Sequence, residues 1–413
     1  MAGLDEKLRQ ELERCVRCGA CLGVCPVYAL LNDERVVARG KVRLASRASE
    51  EGADSGTTDC LGDAALMCLK CGRCTASCPN SVDTPAVVRG VRDSKMAGGA
   101  PLKTRLAGMV LKDRSLMRFL AGTAGAMAPV IAARVKDRPG LVMRLAVPGE
   151  GARRAIPPFP EKGFFAKNGG DVVVDGGGTR YMLFTGCIGD VLRPQASEAV
   201  VELCRRAGVS MVAPAAQSCC GLMGFSAGDP GGAREMAAIN AKVFAESGAA
   251  AMVTTCASCA TMIKEHYPEI SGASFGEVLT FSQFWERELK GKLPRSKDAE
   301  QRVRLAFHEP CHLGLSLKVK SQPRELLGSL GGAEYVKTAV ENDCCGYGGA
   351  FNVENYKVSR AIGGRKKPAI EEAGVDVLAT ECSGCVMQMI DLLSDTKRPV
   401  EVITTAEALL RYL

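Results

Sequence analysis

The chain has 413 residues, and its net charge of +7 is too small for that length to indicate a nucleic-acid-binding protein. Twenty cysteines occur in regular clusters, and the amino terminus, MAGLDEKLRQELERC, has no apolar signal core. We therefore expect a cytoplasmic protein of two or three domains, in which clustered cysteines bind metals rather than form disulfides.

Two copies of the spacing C-x2-C-x2-C-x3-C-P lie in residues 1–100. They comprise Cys15, Cys18, Cys21 and Cys25, and then Cys68, Cys71, Cys74 and Cys78. This spacing resembles that of the two-cluster bacterial ferredoxins, in which the fourth cysteine of each motif binds the other cluster. Zinc sites more often use two separated C-x2-C pairs and are disfavoured.

This resemblance implies two [4Fe-4S] cubanes within a mostly helical, ferredoxin-like domain. The first would be bound by Cys15, Cys18, Cys21 and Cys78, and the second by Cys68, Cys71, Cys74 and Cys25. The insertion at 26–67 is expected to be helical. Such a domain relays electrons and does not itself catalyse a reaction.

Residues 101–170 are expected to form a basic helical linker. Residues 101–140 hold eight Lys or Arg and two Asp, and the apolar run Phe119–Ala133 is too short and too rich in glycine to span a bilayer. A solvated helical arm is favoured over a helix that binds a membrane surface or a partner.

The remaining chain contains an internal repeat of five cysteines. The first copy is Cys187, Cys219, Cys220, Cys256 and Cys259, and the second is Cys311, Cys344, Cys345, Cys382 and Cys385. Matched positions differ by 124 to 126 residues, and a glycine (Gly221, Gly346) follows each cysteine pair. The repeat predicts two homologous domains, 171–295 and 296–413.

Apolar runs such as TRYMLFTGC and VDVLATECSGC lead into these cysteines, and helical stretches separate the runs. Strands that alternate with helices predict parallel α/β sheets, whose ligands lie at the carboxyl ends of the strands. No G-x-G-x-x-G fingerprint follows a predicted strand, so we expect no FAD or NAD site in this chain. The fold class is thus a helical ferredoxin-like module followed by two α/β domains.

The pattern C-x(31)-CCG-x(35)-C-x2-C and its copy resemble the cysteine-rich CCG domain. That domain occurs in heterodisulfide reductase catalytic subunits and in iron–sulfur subunits of glycolate oxidase, D-lactate and anaerobic glycerol-3-phosphate dehydrogenases. FTGCIGDVLRP and HEPCHLG are most similar to the glycolate oxidase iron–sulfur subunit. The resemblance extends over nearly the whole chain.

This resemblance implies that each set of five cysteines binds one further [4Fe-4S] cluster, of the noncubane type in the disulfide reductase branch. Cys204 is then expected to be a core residue and Cys60 a bystander. His308 and His312 flank Cys311 and are expected either to bond locally or to donate to a cluster sulfur. Together with Cys344 and Cys345 they are the catalytic candidates.

Three functions follow. The favoured one is the iron–sulfur electron-transfer subunit of a flavin-dependent 2-hydroxy acid dehydrogenase complex. An FAD-containing partner subunit would oxidise glycolate or D-lactate, and a quinone or another carrier, with the chain cytoplasmic or peripheral on the inner membrane face, would accept the electrons. The alternative is a heterodisulfide reductase-like subunit that reduces a disulfide at a noncubane cluster. A redox sensor without turnover is the third and least favoured.

Overall fold

The computed structural model describes residues 6–50, 54–96, 102–134, 140–144, 154–273, 275–294 and 302–413. Parts of the expected linker, at 101, 135–139 and 145–153, lie outside these described residues. The chain forms two compact units, each built from three separate segments. The first unit comprises Met1–Leu106, Leu222–Gly232 and Cys344–Arg365, and the second comprises Ala107–Gly221, Ala233–Asp343 and Lys366–Leu413.

The helices and strands are numbered along the chain. The helices up to the first sheet are α1 (Glu6–Glu13), α2 (Tyr28–Leu31), α3 (Ala38–Ser49), α4 (Ser55–Leu66), α5 (Arg73–Ala76), α6 (Thr84–Met96), α7 (Leu102–Lys112), α8 (Arg114–Ile131) and α9 (Phe164–Asn168). Those of the first half are α10 (Gly186–Val191), α11 (Pro194–Ala207), α12 (Leu222–Ala227), α13 (Pro230–Glu246), α14 (Ala257–Thr261), α15 (Tyr267–Ser271) and α16 (Phe281–Phe284). Those of the second half are α17 (Ser321–Gly328), α18 (Ala350–Glu354), α19 (Tyr356–Gly364), α20 (Lys367–Glu372), α21 (Ser383–Leu392) and α22 (Thr405–Tyr412).

The strands are β1 (Ala132–Arg134), β2 (Leu141–Met143), β3 (Ala155–Ile156), β4 (Val172–Val174), β5 (Gly177–Leu183), β6 (Val209–Ala213), β7 (Ala251–Thr254), β8 (Glu277–Thr280), β9 (Val303–His308), β10 (Ala333–Tyr335), β11 (Val377–Thr380) and β12 (Glu401–Thr404). Single π-helical turns at Met262–His266 and His312–Ser316 follow two of the cysteine motifs. Such turns occur often near functional sites.

The first unit is helical, as the sequence predicts. Helices α3, α4 and α6 pack around a core that contains Ala45, Leu61, Ala65, Val88 and Val91. The insertion between the two cysteine motifs forms α2 to α4, which confirms the expectation of helix there. This bundle supports the two cysteine-bearing loops on either side of it.

The first unit also incorporates segments from the repeated half of the chain. Phe351 and Ile362, which follow the second cysteine pair, are buried against Val27, Val36 and Leu69 of the ferredoxin-like module. Burial of these side chains removes apolar surface from water and stabilises the unit. The core of the module is therefore completed by residues more than 250 positions later in the chain.

The second unit contains two sheets with the same strand order. The first sheet is ordered β4-β6-β5-β7-β8 and the second β10-β9-β11-β12, and every pairing is parallel except that of β4 with β6. Strands β7 and β11 are buried along their whole length, as central strands of parallel sheets covered on both faces should be. Matched order confirms the duplicated α/β architecture.

Helix α8 of the second unit presents two different faces. Met117 and Ala128 are buried, whereas Phe119, Met127 and Val130 have 69%, 50% and 73% of their surface exposed. At its carboxyl end the chain enters a small antiparallel sheet ordered β1-β2-β3. Among the described helices none combines the length and apolar character needed to cross a bilayer.

Candidate cluster sites

The loops of the first ferredoxin motif enclose a small cavity in the first unit. Its lining includes Cys15, Cys18, Cys21 and also Cys78, the last cysteine of the second motif. Gly19 turns the loop with φ +86°, a conformation that favours glycine. The four thiols predicted to share a cubane therefore line one cavity.

A second cavity in the same unit has the reciprocal lining. It is bounded by Cys68, Cys71, Cys74 and by Cys25, the last cysteine of the first motif. Burial and neighbouring thiols raise the pKa of Cys71, and they raise the pKa of Cys74 to about 12. Without metal these thiols are protonated at neutral pH, so iron must displace protons to bind them.

Buried Arg92 braces the loop of the second motif. Its guanidinium donates hydrogen bonds to the carbonyl oxygens of Cys68 (3.0 Å), Ala65 (2.7 Å) and Ser226 (2.6 Å). Only 5% of Arg92 is exposed. This arginine joins α4, the cysteine loop and α12 within the first unit, a role that no spacing rule in the sequence signals.

Cys344, from the second cysteine-rich motif, lies beside the second ferredoxin loop. Cys25, Cys71 and Cys344 pack against the same buried cluster that contains Leu69 and Phe351. The electrostatic influence of Cys344 also contributes, after burial, to the raised pKa of Cys71. The first unit therefore brings a cysteine of the repeated half next to a cysteine of the dicluster module.

The first five-cysteine set lies together in the second unit, at the carboxyl ends of β5, β6 and β7. The Sγ atoms of Cys187 and Cys219 are 3.6 Å apart, and Cys220 and Cys259 are hydrogen-bonding neighbours. Four of the five are buried, and Cys187 is partly exposed. Five converging sulfur donors suit an iron–sulfur cluster and exceed the four of a tetrahedral zinc site.

The thiols of this set raise one another's pKa. A hydrogen bond to Cys219, followed by burial, raises the pKa of Cys187. For Cys219 the bond from Cys187 acts in the opposite direction, but the bond to Cys220 and burial outweigh it and raise the pKa to about 12. Such a crowd of buried donors favours a bound cation.

The backbone around the adjacent cysteines is well anchored. Asn240 donates to the carbonyl oxygen of Cys219 and the hydroxyl of Tyr267 donates to that of Cys220, both at 3.0 Å. The amide of Gly221 points at the sulfur of Cys219 at 3.5 Å, and the amide of Gly346 points at Cys344 at 3.4 Å. Amides aimed at sulfur offset the negative charge of a thiolate cluster.

The second five-cysteine set is divided between the two units. Cys311, Cys382 and Cys385 belong to the second unit, and Cys344 and Cys345 to the first. In the second unit a ring nitrogen of His308 lies within 4.8 Å of the Cys385 sulfur. His308 is only 1% exposed, so it is placed among the cysteines rather than in solvent.

The C-x2-C motifs of the two halves meet inside the second unit. Cys256 of the first half hydrogen-bonds with Cys382 of the second, and the amide of Ala257 donates to the carbonyl oxygen of Glu381 at 2.8 Å. Bonds from Cys256, Cys385 and Ser258 lower the pKa of Cys382. Sequence analysis did not predict this contact between the repeats.

The remaining two cysteines stand apart from these sets. Cys204 is fully buried on α11, where its sulfur lies 3.7 Å from the Met211 sulfur, and burial raises its pKa to about 12. Cys60 lies on α4 and is partly exposed. Neither residue lines the two ferredoxin cavities.

The chain matches two known domain families. Residues 11–82 match the 4Fe-4S dicluster domain, and residues 181–264 and 305–390 match the cysteine-rich CCG domain. Both matches fall on the cysteine motifs described above.

Three curated relatives illustrate the range of similar proteins. An iron–sulfur-type relative, a fumarate reductase (CoM/CoB) subunit of Methanothermobacter marburgensis, is 26% identical, over 94% of this chain and 70% of its own. A probable glycolate oxidase iron-sulfur subunit of Bacillus subtilis is 25% identical, over 92% and 88%. Lactate utilization protein A 2 of Bacillus cereus is 30% identical, over 56% of this chain and 98% of its own.

These matches agree with the geometry, in which two cysteine-lined cavities and a buried five-thiol group offer sulfur ligands for several clusters. The chain belongs to the CCG-domain family of iron–sulfur proteins, and it binds multiple [4Fe-4S] clusters through a dicluster domain and two cysteine-rich repeats.

Proposed function

We propose that this chain is the iron–sulfur electron-transfer subunit of a flavin-dependent 2-hydroxy acid dehydrogenase complex. Bound clusters would supply one-electron carriers, and the protein would position them and set their potentials. The two ferredoxin cavities would hold cubanes bound by Cys15, Cys18, Cys21 and Cys78, and by Cys68, Cys71, Cys74 and Cys25. The five-thiol group would hold a further cluster, and the second five-cysteine set remains our prediction for another.

The placement of Cys344 beside Cys71 carries this proposal. Within the first unit it links the dicluster module to the second cysteine-rich motif, and within the second unit Cys382 of that motif contacts Cys256 of the first. The cysteine sets thus follow one another without a gap along the chain's own packing. Such an order suits a relay in which electrons enter at one end and leave at the other.

A partner subunit is also supported by the exposed face of α8. Leu116, Phe119, Leu120, Met127 and Val130 are large apolar side chains on one face, and no charged residue lies between Arg118 and Arg134. Contiguous apolar surface of this kind marks sites that bind another protein. We assign this face to the FAD-containing subunit, whose substrate would be glycolate or D-lactate. A quinone or another carrier would accept the electrons at the cytoplasmic face of the membrane.

The second candidate function is disulfide reduction in the manner of heterodisulfide reductases. One observation favours it: Ser258 lies 3.2 Å from the Cys382 sulfur and 2.8 Å from Nδ1 of His312. A hydroxyl and an imidazole beside a redox-active sulfur could deliver a proton to a departing thiolate. Cys344, Cys345, His308 and His312 are the catalytic candidates in that case.

Low-temperature EPR on the complex, isolated anaerobically from cells that produce it, tests the two functions. Samples receive glycolate, D-lactate or glycerol-3-phosphate, beside a thiol and a disulfide. Reduced-cluster signals that appear with one hydroxy acid would support the dehydrogenase relay and name its substrate. Silence with all three, together with a new paramagnetic species after thiol addition to the oxidised protein, would contradict the relay in favour of disulfide chemistry.

A further inference from the structure

A buried arginine of the expected linker lies against the first five-thiol group. Arg114 begins α8, and only 7% of its side chain is exposed. Its guanidinium donates to the carbonyl oxygens of Gly186 (3.2 Å), Gln217 (2.7 Å) and Ser218 (3.3 Å). Gly186 immediately precedes Cys187, and Ser218 immediately precedes Cys219. One side chain thus joins the two loops that carry the first three cysteines of the set.

The charge of Arg114 is only partly balanced. Its Nη1 atom lies 2.8 Å from Oδ2 of Asp190, and Nε of Arg118 lies 2.9 Å from the same oxygen. Asp190 is completely buried. Two guanidinium groups therefore share one carboxylate, which leaves one net positive charge behind the cysteine loops. Among the influences on the pKa of Cys187, the bond to Cys219 and burial raise it, whereas Arg114 acts to lower it.

The second half contains an ion pair at the matching place, built from different residues. Gly314 stands three positions after Cys311, as Asp190 stands three after Cys187, and a Cβ atom on Gly314 would overlap the Glu309 carboxylate. Arg324 of α17 lies 2.8 Å from that carboxylate and 3.0 Å from Oδ1 of Asn342. Two halves that place a carboxylate–arginine pair behind the first cysteine, from unmatched residues, indicate that the pair is needed there.

We propose that Arg114 is a positioning residue for the first cysteine-rich centre, and that its charge makes the cluster bound there easier to reduce. The inference rests on the proposed ligand set Cys187, Cys219, Cys220, Cys256 and Cys259. Arg114 fixes the spacing of the two loops through their carbonyl oxygens. Its uncompensated charge stabilises the additional electron of the reduced cluster, because the site is buried and poorly screened. The linker helix is thereby part of the centre.

Two variants that break the same ion pair separate a charge effect from a structural one. Arg114→Gln removes a positive charge, and Asp190→Asn removes a negative charge. If charge sets the potential, the midpoint potential of the first centre falls in Arg114→Gln and rises in Asp190→Asn. A purely structural role would move both potentials in the same direction, or neither, and either result would overturn the proposal.

The potentials are measured by dithionite titration with redox mediators, followed by EPR, on the full chain. The signal that Cys259→Ser abolishes identifies the first centre, and iron content per chain is determined alongside. Arg324→Gln is the matched control, since it breaks the equivalent pair of the other half, and it should leave this potential unchanged. A comparable shift in that control would contradict the proposal.

Arg118→Gln provides a second test that does not depend on Arg114 variants accumulating as folded protein. Arg118 shares the Asp190 carboxylate but is 28% exposed, so its loss should lower the potential by less. No shift, or an upward one, would count against the proposal. Chemical reduction needs no partner or substrate, so failure of the hydroxy acid experiment would leave these potentials interpretable. Absence of any signal that depends on Cys259 would overturn the centre itself.

Discussion

The hydroxyl of Ser258, in the first cysteine-rich repeat, lies 3.2 Å from the sulfur of Cys382 in the second. The two residues belong to C-x2-C motifs separated by more than 120 positions in the sequence. A hydrogen bond to a cluster sulfur stabilises the reduced state, because that state carries more negative charge. Ser258 therefore couples the chemistry of one repeat to the backbone of the other.

We expect Ser258→Ala to lower the reduction potential of the cluster that Cys382 binds by roughly 40 mV, which corresponds to about 1 kcal/mol for one electron. EPR-monitored redox titration measures the change. Ser271→Ala is the control, because its hydroxyl bonds only to the Tyr267 carbonyl oxygen among the contacts described here, 2.8 Å away. An unchanged or raised potential in Ser258→Ala would show that this hydroxyl does not act on the cluster.

Gly348 tests how the later segment packs on the ferredoxin-like module. A Cβ atom there would lie 2.6 Å from Cδ2 of Leu69 and 3.2 Å from its Cα. Gly348→Ala should destabilise the protein by about 1–3 kcal/mol through this overlap, in addition to the strain of its φ of +58°. Differential scanning calorimetry should show a lower Tm.

The neighbouring glycine is a matched control for that substitution. Gly349 also has a positive φ, +63°, but nothing lies within 4 Å of its added Cβ. Gly349→Ala therefore carries backbone strain alone and should cost less than Gly348→Ala. Equal losses in the two variants would mean that the contact with Leu69 contributes nothing.

Loss of the Arg92 guanidinium should weaken the second ferredoxin loop. Arg92→Gln leaves buried carbonyl oxygens of Ala65, Cys68 and Ser226 without their donor, which should destabilise the first unit by about 3 kcal/mol. Iron content per chain should fall with it. Arg89→Gln, which removes a guanidinium 4.8 Å from the Phe225 ring, should cost less than about 1 kcal/mol and retain iron. Full iron in Arg92→Gln would contradict the bracing role.

The two cysteines outside the clusters should be dispensable for iron. Cys204→Ala removes a buried sulfur and should destabilise the fold by about 1 kcal/mol while iron per chain stays unchanged. Cys60→Ser, on α4, should likewise retain iron. Cys187→Ser serves as the positive control, with reduced iron content by colorimetric assay. Iron loss in either of the first two variants would show that our assignment of eighteen ligands is wrong.

The exposed face of α8 should be required for assembly with the dehydrogenase subunit. Val130→Ser replaces an apolar side chain that is 73% exposed, so it should leave the fold intact and weaken copurification of the flavin-containing partner by about tenfold. Val173→Ser, at a residue 53% exposed on β4, is the control and should leave the complex intact. Undiminished copurification with Val130→Ser would exclude this face as the contact.

Cysteine spacing was sufficient to predict the strands that end at Cys187, Cys256 and Cys382, because each spacing accompanies a local apolar run. It could not predict that Phe351 completes the core around Leu69, since no local pattern records a contact across so many residues. Arg114 was interpreted as part of a solvated arm for a similar reason. An arginine at the start of a helix gives no indication of a buried carboxylate 76 residues away.

The three-segment composition of the first unit determines when that unit can mature during synthesis. Its last segment ends at Arg365, so Val27, Val36 and Leu69 lack their partners Phe351 and Ile362 until most of the chain has left the ribosome. The eight ferredoxin cysteines are translated first, but their supporting core closes near the end. Iron–sulfur assembly on this module is therefore a late event, and a nascent amino-terminal fragment presents an unfinished apolar surface that needs protection until the carboxyl-terminal repeat arrives.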